Sequence, residues 1–296
     1  MKLHLFKVLV DISGYRGILY TSKLVKSVLV ESVPETLEVF KPSSSEPKLV
    51  HITPLFKRSK NGLRPVYSTI ECSGGRCSDK PRPIRLSGTY AFYVGFPDTV
   101  LEPRILIDKL TGFEKEISFQ KQRVRVKLVD LEHIDPYEYS ESIVNEVLDK
   151  GKLKIVFTTP AMFKDPFRKT RYKSLLPSVF NIFATPLYVM LYSQGILSKK
   201  AFRKQLLILH RIFSEPYSVL KTTSIEWIVY DKKPEPALTG YVNLYINREY
   251  VNKYSKYIDI REYLVDLFAY MYALGIGSGR ASGFGHVQLE PGKPTP

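Results

Sequence analysis

Apolar and polar positions alternate, or recur in helical steps, along most of the chain, and the period assigns the elements. Residues 2–12, KLHLFKVLVDI, are rich in β-branched and aromatic side chains and predict a first strand. Residues 20–32, YTSKLVKSVLVES, place Leu24, Val25, Val28 and Leu29 on one face and predict a helix with Thr21 or Ser22 as N-cap. Strands follow at 47–56, 64–70 and 84–96, the last two flanking a loop with Cys72 and Cys77. A short helix is expected at 98–110, with Pro103 near its start, and one long alternating strand at 117–131. The order is β-α-β-β-α-β, the ferredoxin-like pattern.

The order then recurs. Residues 152–163 read as a strand, 176–195 and 198–213 as helices, and 222–231 with 237–247 as a hairpin. In the next helix Ile260, Tyr263, Leu264, Leu267, Phe268, Met271 and Leu274 follow i, i+3, i+4 spacing, with Asp259 and Glu262 as a capping box. Residues 284–290 alternate as a last strand. The fold expected is α+β: tandem ferredoxin-like (RRM-like) domains, each a four-stranded antiparallel sheet with helices on one face. The first would span 1–149 and the second 150–296. The duplication is one of architecture, without a letter-by-letter repeat.

Between the last helix and the last strand lies GIGSGRASGFG, five glycines in eleven residues. A helix-to-strand setting excludes the dinucleotide fingerprint, which follows a strand and opens a helix. Its third glycine would also have to replace Arg280, and no Walker lysine follows. Two readings stay open: a loop whose backbone N–H groups, serines and arginine cradle an anion, or a tight irregular connection under a sheet.

Charge favours the anion. Lysine and arginine number 44 against 29 acidic residues, a net charge of +15, so a polyanion is the expected partner, nucleic acid ahead of membrane. No apolar run reaches the length of a membrane span, and Lys7 and Asp11 interrupt the N-terminal run too closely for a signal peptide. A cytoplasmic protein is expected. Two cysteines cannot make a four-ligand zinc site; they are free thiols or close a small loop. Lys121, Arg123, Arg125 and Lys127 form a cationic stripe on one strand face, which either tracks phosphates or is merely solvated. Residues 164–173 carry Lys164, Arg168, Lys169, Arg171 and Lys173 against Asp165 alone, with Phe167 and Tyr172 interleaved to stack on bases. Histidines stand only at 4, 51, 133, 210 and 286, and no metalloprotease, nucleophile-elbow or clustered acidic motif is present. No metal or cofactor is expected. Lys23 and Lys26 share a face of the first helix, and Lys48 opens the next strand. Convergence of the three would focus positive potential on a phosphate; otherwise they are surface lysines.

Taken together, tandem ferredoxin-like units, a basic balance and GIGSGRASGFG before the last strand resemble the Cas-six (Cas6) family. These are CRISPR-associated endoribonucleases that cut the repeat transcript into guide units. The resemblance covers nearly the whole chain, and the glycine loop is its specific part. SKLVK at 22–26, PKLVHIT at 47–53 and FTTPAMF at 157–163 are similar more loosely, most to the archaeal branch. It implies metal-independent cleavage, in which a ribose 2′-hydroxyl attacks the adjacent phosphate and leaves a cyclic phosphate and a free 5′-hydroxyl. It implies CRISPR repeat RNA as partner, with an effector complex or a homodimer as possible assemblies. Many members carry a histidine shortly before the second strand; Phe40, Lys41 and Pro42 stand there instead. Lys48 matches the family's strand lysine, and Lys23 and Lys26 replace its helix tyrosine. The resemblance therefore implies catalysis by Lys23, Lys26 and Lys48, as in histidine-free archaeal members, with His51 as rival. RNA would be held by Gly275, Gly277, Ser278, Gly279, Arg280, Ser282, Gly283 and Gly285, by the cations of 164–173, and by Lys232 and Lys233 at a hairpin tip. Three functions remain open: the endoribonuclease, a non-catalytic sequence-specific RNA-binding subunit on the same fold, and an unrelated nucleotide-binding protein.

Overall fold

A computed structural model describes residues 1–41, 47–60, 62–73, 76–78, 80–168, 172–215, 219–231 and 233–292. The first half runs β1 (Leu3–Gly17), α1 (Ser22–Ser32), α2 (Thr36–Phe40), β2 (His51–Ile52), β3 (Phe56–Ser59), β4 (Gly62–Pro65), β5 (Cys72–Ser73), β6 (Arg76–Cys77), β7 (Ile84–Pro97), α3 (Pro103–Leu110), β8 (Glu114–Phe119) and β9 (Gln122–Ile134). Helix α4 (Pro136–Lys150) leads to the second half: β10 (Lys152–Ala161), α5 (Val179–Ser193), α6 (Lys199–Ile212), β11 (Phe213–Ser214), α7 (Val219–Thr222), β12 (Thr223–Tyr230), β13 (Lys233–Ile246), α8 (Arg248–Tyr254), α9 (Ile260–Leu274) and β14 (Val287–Pro291).

The two large sheets share one topology. In the first, β7, β1 and β9 lie side by side, β2 and β3 pair on the outer edge of β7, and β8 extends the edge beyond β9. In the second, β13, β10 and β14 lie side by side and β12 pairs on the outer edge of β13. All pairings are antiparallel. This is the expected tandem ferredoxin-like order.

Strand alternation separates two cores. Phe6, Val8, Val10 and Ile12 of β1 face Leu24, Val25, Val28 and Leu29 of α1 and Leu106 and Leu110 of α3. Leu3 and Leu5 point the other way, into a core shared with Val144 and Val147 of α4 and Leu264, Leu267 and Phe268 of α9. The second half's helices therefore cover part of the first sheet's free face. At Gly95 the fit is too close for a side chain, since a Cβ would lie 1.8 Å from the Ala273 carbonyl oxygen of α9.

Several local expectations change. The stretch 117–131 is a hairpin, β8–β9, because Gln120 and Lys121 both take positive φ (49° and 63°) and reverse the chain without glycine. Its outward cations meet acids across the ladder: Arg123 lies 3.6 Å from Glu116, Lys127 lies 3.5 Å from Glu114, and Arg125 hydrogen-bonds Glu114. The stripe is thus a neutralised face, and Lys121 sits in the turn. The expected strand 47–56 pairs only at His51–Ile52 before Pro54 intervenes, so Lys48 precedes the strand. The pattern predicts no element between 132 and 149. The structure places α4 there, started by Pro136 and capped by Asp135, which accepts from the Tyr137 and Glu138 N–H groups. Neither Thr21 nor Ser22 caps α1. The Thr21 hydroxyl accepts from Leu55 N–H and donates to the Val66 carbonyl, fastening the helix start to the following strands. Cys72 and Cys77, opposite one another in β5–β6, form a disulfide. Nearby, Val229 N–H donates to the Ser68 carbonyl (3.1 Å) and Ile70 N–H to that of Trp227 (3.0 Å), so residues 68–70 of the first half edge the β12–β13 hairpin of the second. Among the described residues no helix is long and apolar enough to cross a membrane.

Candidate nucleic-acid interface

The glycine loop is a folded object. Its five glycines all have φ between +67° and +96°, a range that favours glycine over any side-chain-bearing residue. Ile276 N–H donates to the Gly285 carbonyl (2.8 Å), and Phe284 N–H to that of Gly279 (3.2 Å). Ser278 N–H reaches Met162 (2.7 Å) and Gly285 N–H reaches Pro160 (2.9 Å), pinning the loop to the end of β10. These N–H groups, expected to meet an anion, are engaged within the fold, as in the tight-connection reading.

The start of α1 docks onto the loop. The Ser22 hydroxyl donates to the Ser282 carbonyl (2.6 Å), the Tyr20 hydroxyl to that of Gly283 (2.9 Å), and the Tyr20 ring stacks on Phe284 at 4.6 Å. A Cβ on Gly283 would lie 2.5 Å from that of Ser22. Gly283→Val is therefore expected to destabilise the protein by about 1–3 kcal/mol, from strained backbone and displaced α1. A thermal melt beside an RNA-binding titration checks this; an unchanged melting point contradicts the packing argument.

Arg280 and His51 lie beneath the loop. Arg280 is 7% exposed; its guanidinium donates to the carbonyls of Leu274 (3.0 Å) and Lys48 (2.9 Å). Burial lowers its pKa to about 10, and among the described residues no carboxylate pairs with it. It was expected to grip RNA directly, but these two donors bind the loop to the segment carrying Lys48. His51 is fully buried. Its Nδ1 lies 3.0 Å from the Arg280 carbonyl, which can only accept, so Nδ1 carries the proton. Nε2 then accepts from Nδ1–H of His286 at 3.1 Å. Burial, then the neighbouring His286 and Arg280, hold His51 well below the usual histidine range. Its rival role would require a reach to solvent that this position denies.

Burial also pushes His286 down to about 3, against an ordinary 6.5. Between these values the unfolded chain binds a proton that the folded protein does not. Stability is therefore full above pH 6.5 and falls as the pH drops, by roughly 1.4 kcal/mol per unit for this group. Melts at pH 7 and pH 5 should differ by about 2 kcal/mol in stability from His286 alone. A flat profile would show that the ring charges without cost.

The three lysines divide two and one. Lys26 Nζ lies 5.0 Å above the Phe40 ring, and Lys48 Nζ donates to the Phe40 carbonyl at 3.1 Å. Burial first, and the Lys48 charge second, lower the Lys26 pKa. Lys23 turns away, ion-paired with Asp231 beyond the end of β12 and 4.8 Å over the Tyr230 ring. Lys48 lines a cleft of about 600 Å³ together with Lys164, Tyr188 and 277–282 of the glycine loop.

The remaining cations are dispersed. Lys164 and Arg168 are exposed, with Arg168 3.7 Å from Asp165. Lys173 lies 3.7 Å from Glu235. Lys233 is exposed at the start of β13, while Lys169, Arg171 and Lys232 lie outside the described residues. Sequence reasoning missed Tyr20, Ser22 and Tyr188; nothing in the local pattern of Tyr20 and Ser22 announces their bonds to Gly283 and Ser282, and Tyr188 reads only as part of a helix.

A chain of two ferredoxin-like units with a glycine loop docked on its first helix belongs to a recognisable structural class. No protein-family model and no curated protein sequence matches it. Solved structures do. The Cas6 protein of Thermus thermophilus is 13% identical, with TM-score 0.53, covering 98% of this chain and 99% of that one. A product complex of the same Thermus protein gives 14% and 0.58, covering 97% and 99%. A structure described as a Cas6-related gene product from Pyrococcus furiosus gives 10% and 0.56, covering 98% and 100%. The chain thus has the fold of the Cas6 proteins along nearly its whole length.

Proposed function

We propose that this protein is a Cas6-type endoribonuclease that binds CRISPR repeat RNA and cleaves it within the repeat. The observation that carries the reading is the approach of Lys26 and Lys48 beside the glycine loop, on a Cas6 fold. Product-bound Cas6 structures among the similar folds support RNA as the ligand. The net charge of +15 supports a polyanion independently.

In the proposed reaction the 2′-oxygen bonds to the adjacent phosphorus and the bond to the 5′-oxygen breaks. The 2′-hydroxyl loses its proton and the departing 5′-oxygen gains one. Charge builds on the phosphoryl oxygens, and a preorganised cation at that point lowers the barrier. Lys48 supplies the fixed charge. Lys26, whose pKa burial and the Lys48 charge lower, gives up a proton more readily than an ordinary lysine and is assigned the proton exchange. Lys23, held by Asp231, lies outside this pair and acts at most on the flanking strand.

The test is a denaturing gel of end-labelled repeat RNA with excess chelator. Cleavage is expected to persist and to leave a 2′,3′-cyclic phosphate and a 5′-hydroxyl. Activity lost to chelator and restored by magnesium would end this mechanism. Binding without any cleavage would favour a non-catalytic RNA-binding subunit.

A further inference from the structure

The cleft beside Lys48 does not end at the glycine loop. It continues into a groove of about 610 Å³ over α5 and α6, and Lys164, Thr185, Tyr188 and Arg280 line both. The size falls within the range of about 300–1,000 Å³ usual for ligand sites. We infer that this groove is a nucleobase subsite, taking one unpaired nucleotide of the bound RNA next to the cleaved phosphate. The inference rests on the RNA reading above and adds where, and on what ring, a base is held.

Three observations carry it. The groove walls are apolar, with Pro166, Leu197 and Phe202, and the Tyr188 side chain is 38% exposed in it. The Phe202 ring braces Tyr188 at 5.9 Å and 77°, fixing its orientation while leaving it accessible. Lys164 and Lys199 line the same groove, and no carboxylate forms an ion pair with either among the described residues. The acid present, Asp165, is 3.7 Å from Arg168.

An oriented, accessible aromatic ring in a groove that two lysines also line matches a base and its neighbouring phosphates. A paired base already stacks within its helix, so the occupant is unpaired. An apolar groove of this kind could also receive a second copy of the chain. Continuity with the Lys48 cleft and the lysine rim favour RNA, since neither is complementary to this basic protein's own charge.

The test measures the dissociation constant of the full protein for RNA carrying one CRISPR repeat from its host genome, and for the same RNA with single abasic nucleotides. Tyr188→Ala should weaken binding about tenfold, whereas Tyr188→Phe, which keeps the ring, should bind as the original does. One or two abasic positions beside the cut should reproduce the loss in the original protein and cost nothing further in Tyr188→Ala. Unchanged affinity of Tyr188→Ala, or losses that add at every position, overturns the subsite. So does a change from dimer to monomer in light scattering with RNA affinity intact, which assigns the groove to a second copy. If the original protein fails to bind repeat RNA, the functional reading falls and this one with it. If it binds and cuts while Tyr188→Ala binds equally well, the subsite alone is wrong.

Discussion

Lys48→Ala and Lys26→Ala are each expected to lower the single-turnover cleavage rate by about 10²–10³-fold at saturating protein, with a much smaller loss of RNA affinity. The expectation follows from their shared position around Phe40, where each side chain is held before RNA arrives. A donor already in place acts on charge that develops only in the transition state, so its loss appears in the rate. An anchor for phosphate would reverse the pattern, weakening binding and sparing the rate at saturation. Lys23→Ala should lose far less rate, because Lys23 is paired with Asp231 on the other half. His51→Ala is the companion variant. It removes the partner of the Arg280 carbonyl and of His286, so its rate loss should track a lower melting temperature. Cleavage abolished in a stably folded His51→Ala, with both lysine variants cutting normally, would replace the lysines by a histidine mechanism.

Repeat RNA with a single 2′-deoxyribose at the nucleotide 5′ of the cut is expected not to be cleaved at all, while binding as tightly as the all-ribose strand. The nucleophile of the proposed reaction is then missing. Binding survives because the basic cleft and groove meet phosphates and bases, which the substitution leaves in place. A cut at the modified position would mean that water attacks the phosphorus, and would overturn the proposed chemistry. Deoxyribose one nucleotide further along serves as the control and should be cut normally.

Periodicity in the chain determined the tandem β-α-β-β-α-β order, because burying one face of a strand or helix imposes a repeat of two or 3.6 on the residues themselves. Asp259 as the cap of α9 and five glycines in a helix-to-strand connection were legible for the same reason: caps and positive φ are local demands. Other features depended on what the third dimension brought near. The reversal at Gln120–Lys121 uses residues that rarely take positive φ, so only the pairing of β8 with β9 reveals it. The cationic stripe looked free until Glu114 and Glu116 appeared across that hairpin. The same logic sorted the site. Lys23 and Lys26 are one turn apart on a helix, yet Asp231 claims one and Phe40 with Lys48 receives the other. Arg280, expected from the sequence to hold RNA, is turned inward because two backbone carbonyls, one from each half, need its donors. Charge and periodicity are properties of a residue and its neighbours in sequence. Which charge is neutralised, and which is left facing a cleft, is a property of the partners that folding brings near, whether across one hairpin, as with Glu114 and Arg125, or from the other half of the chain, as with Asp231 and Lys23.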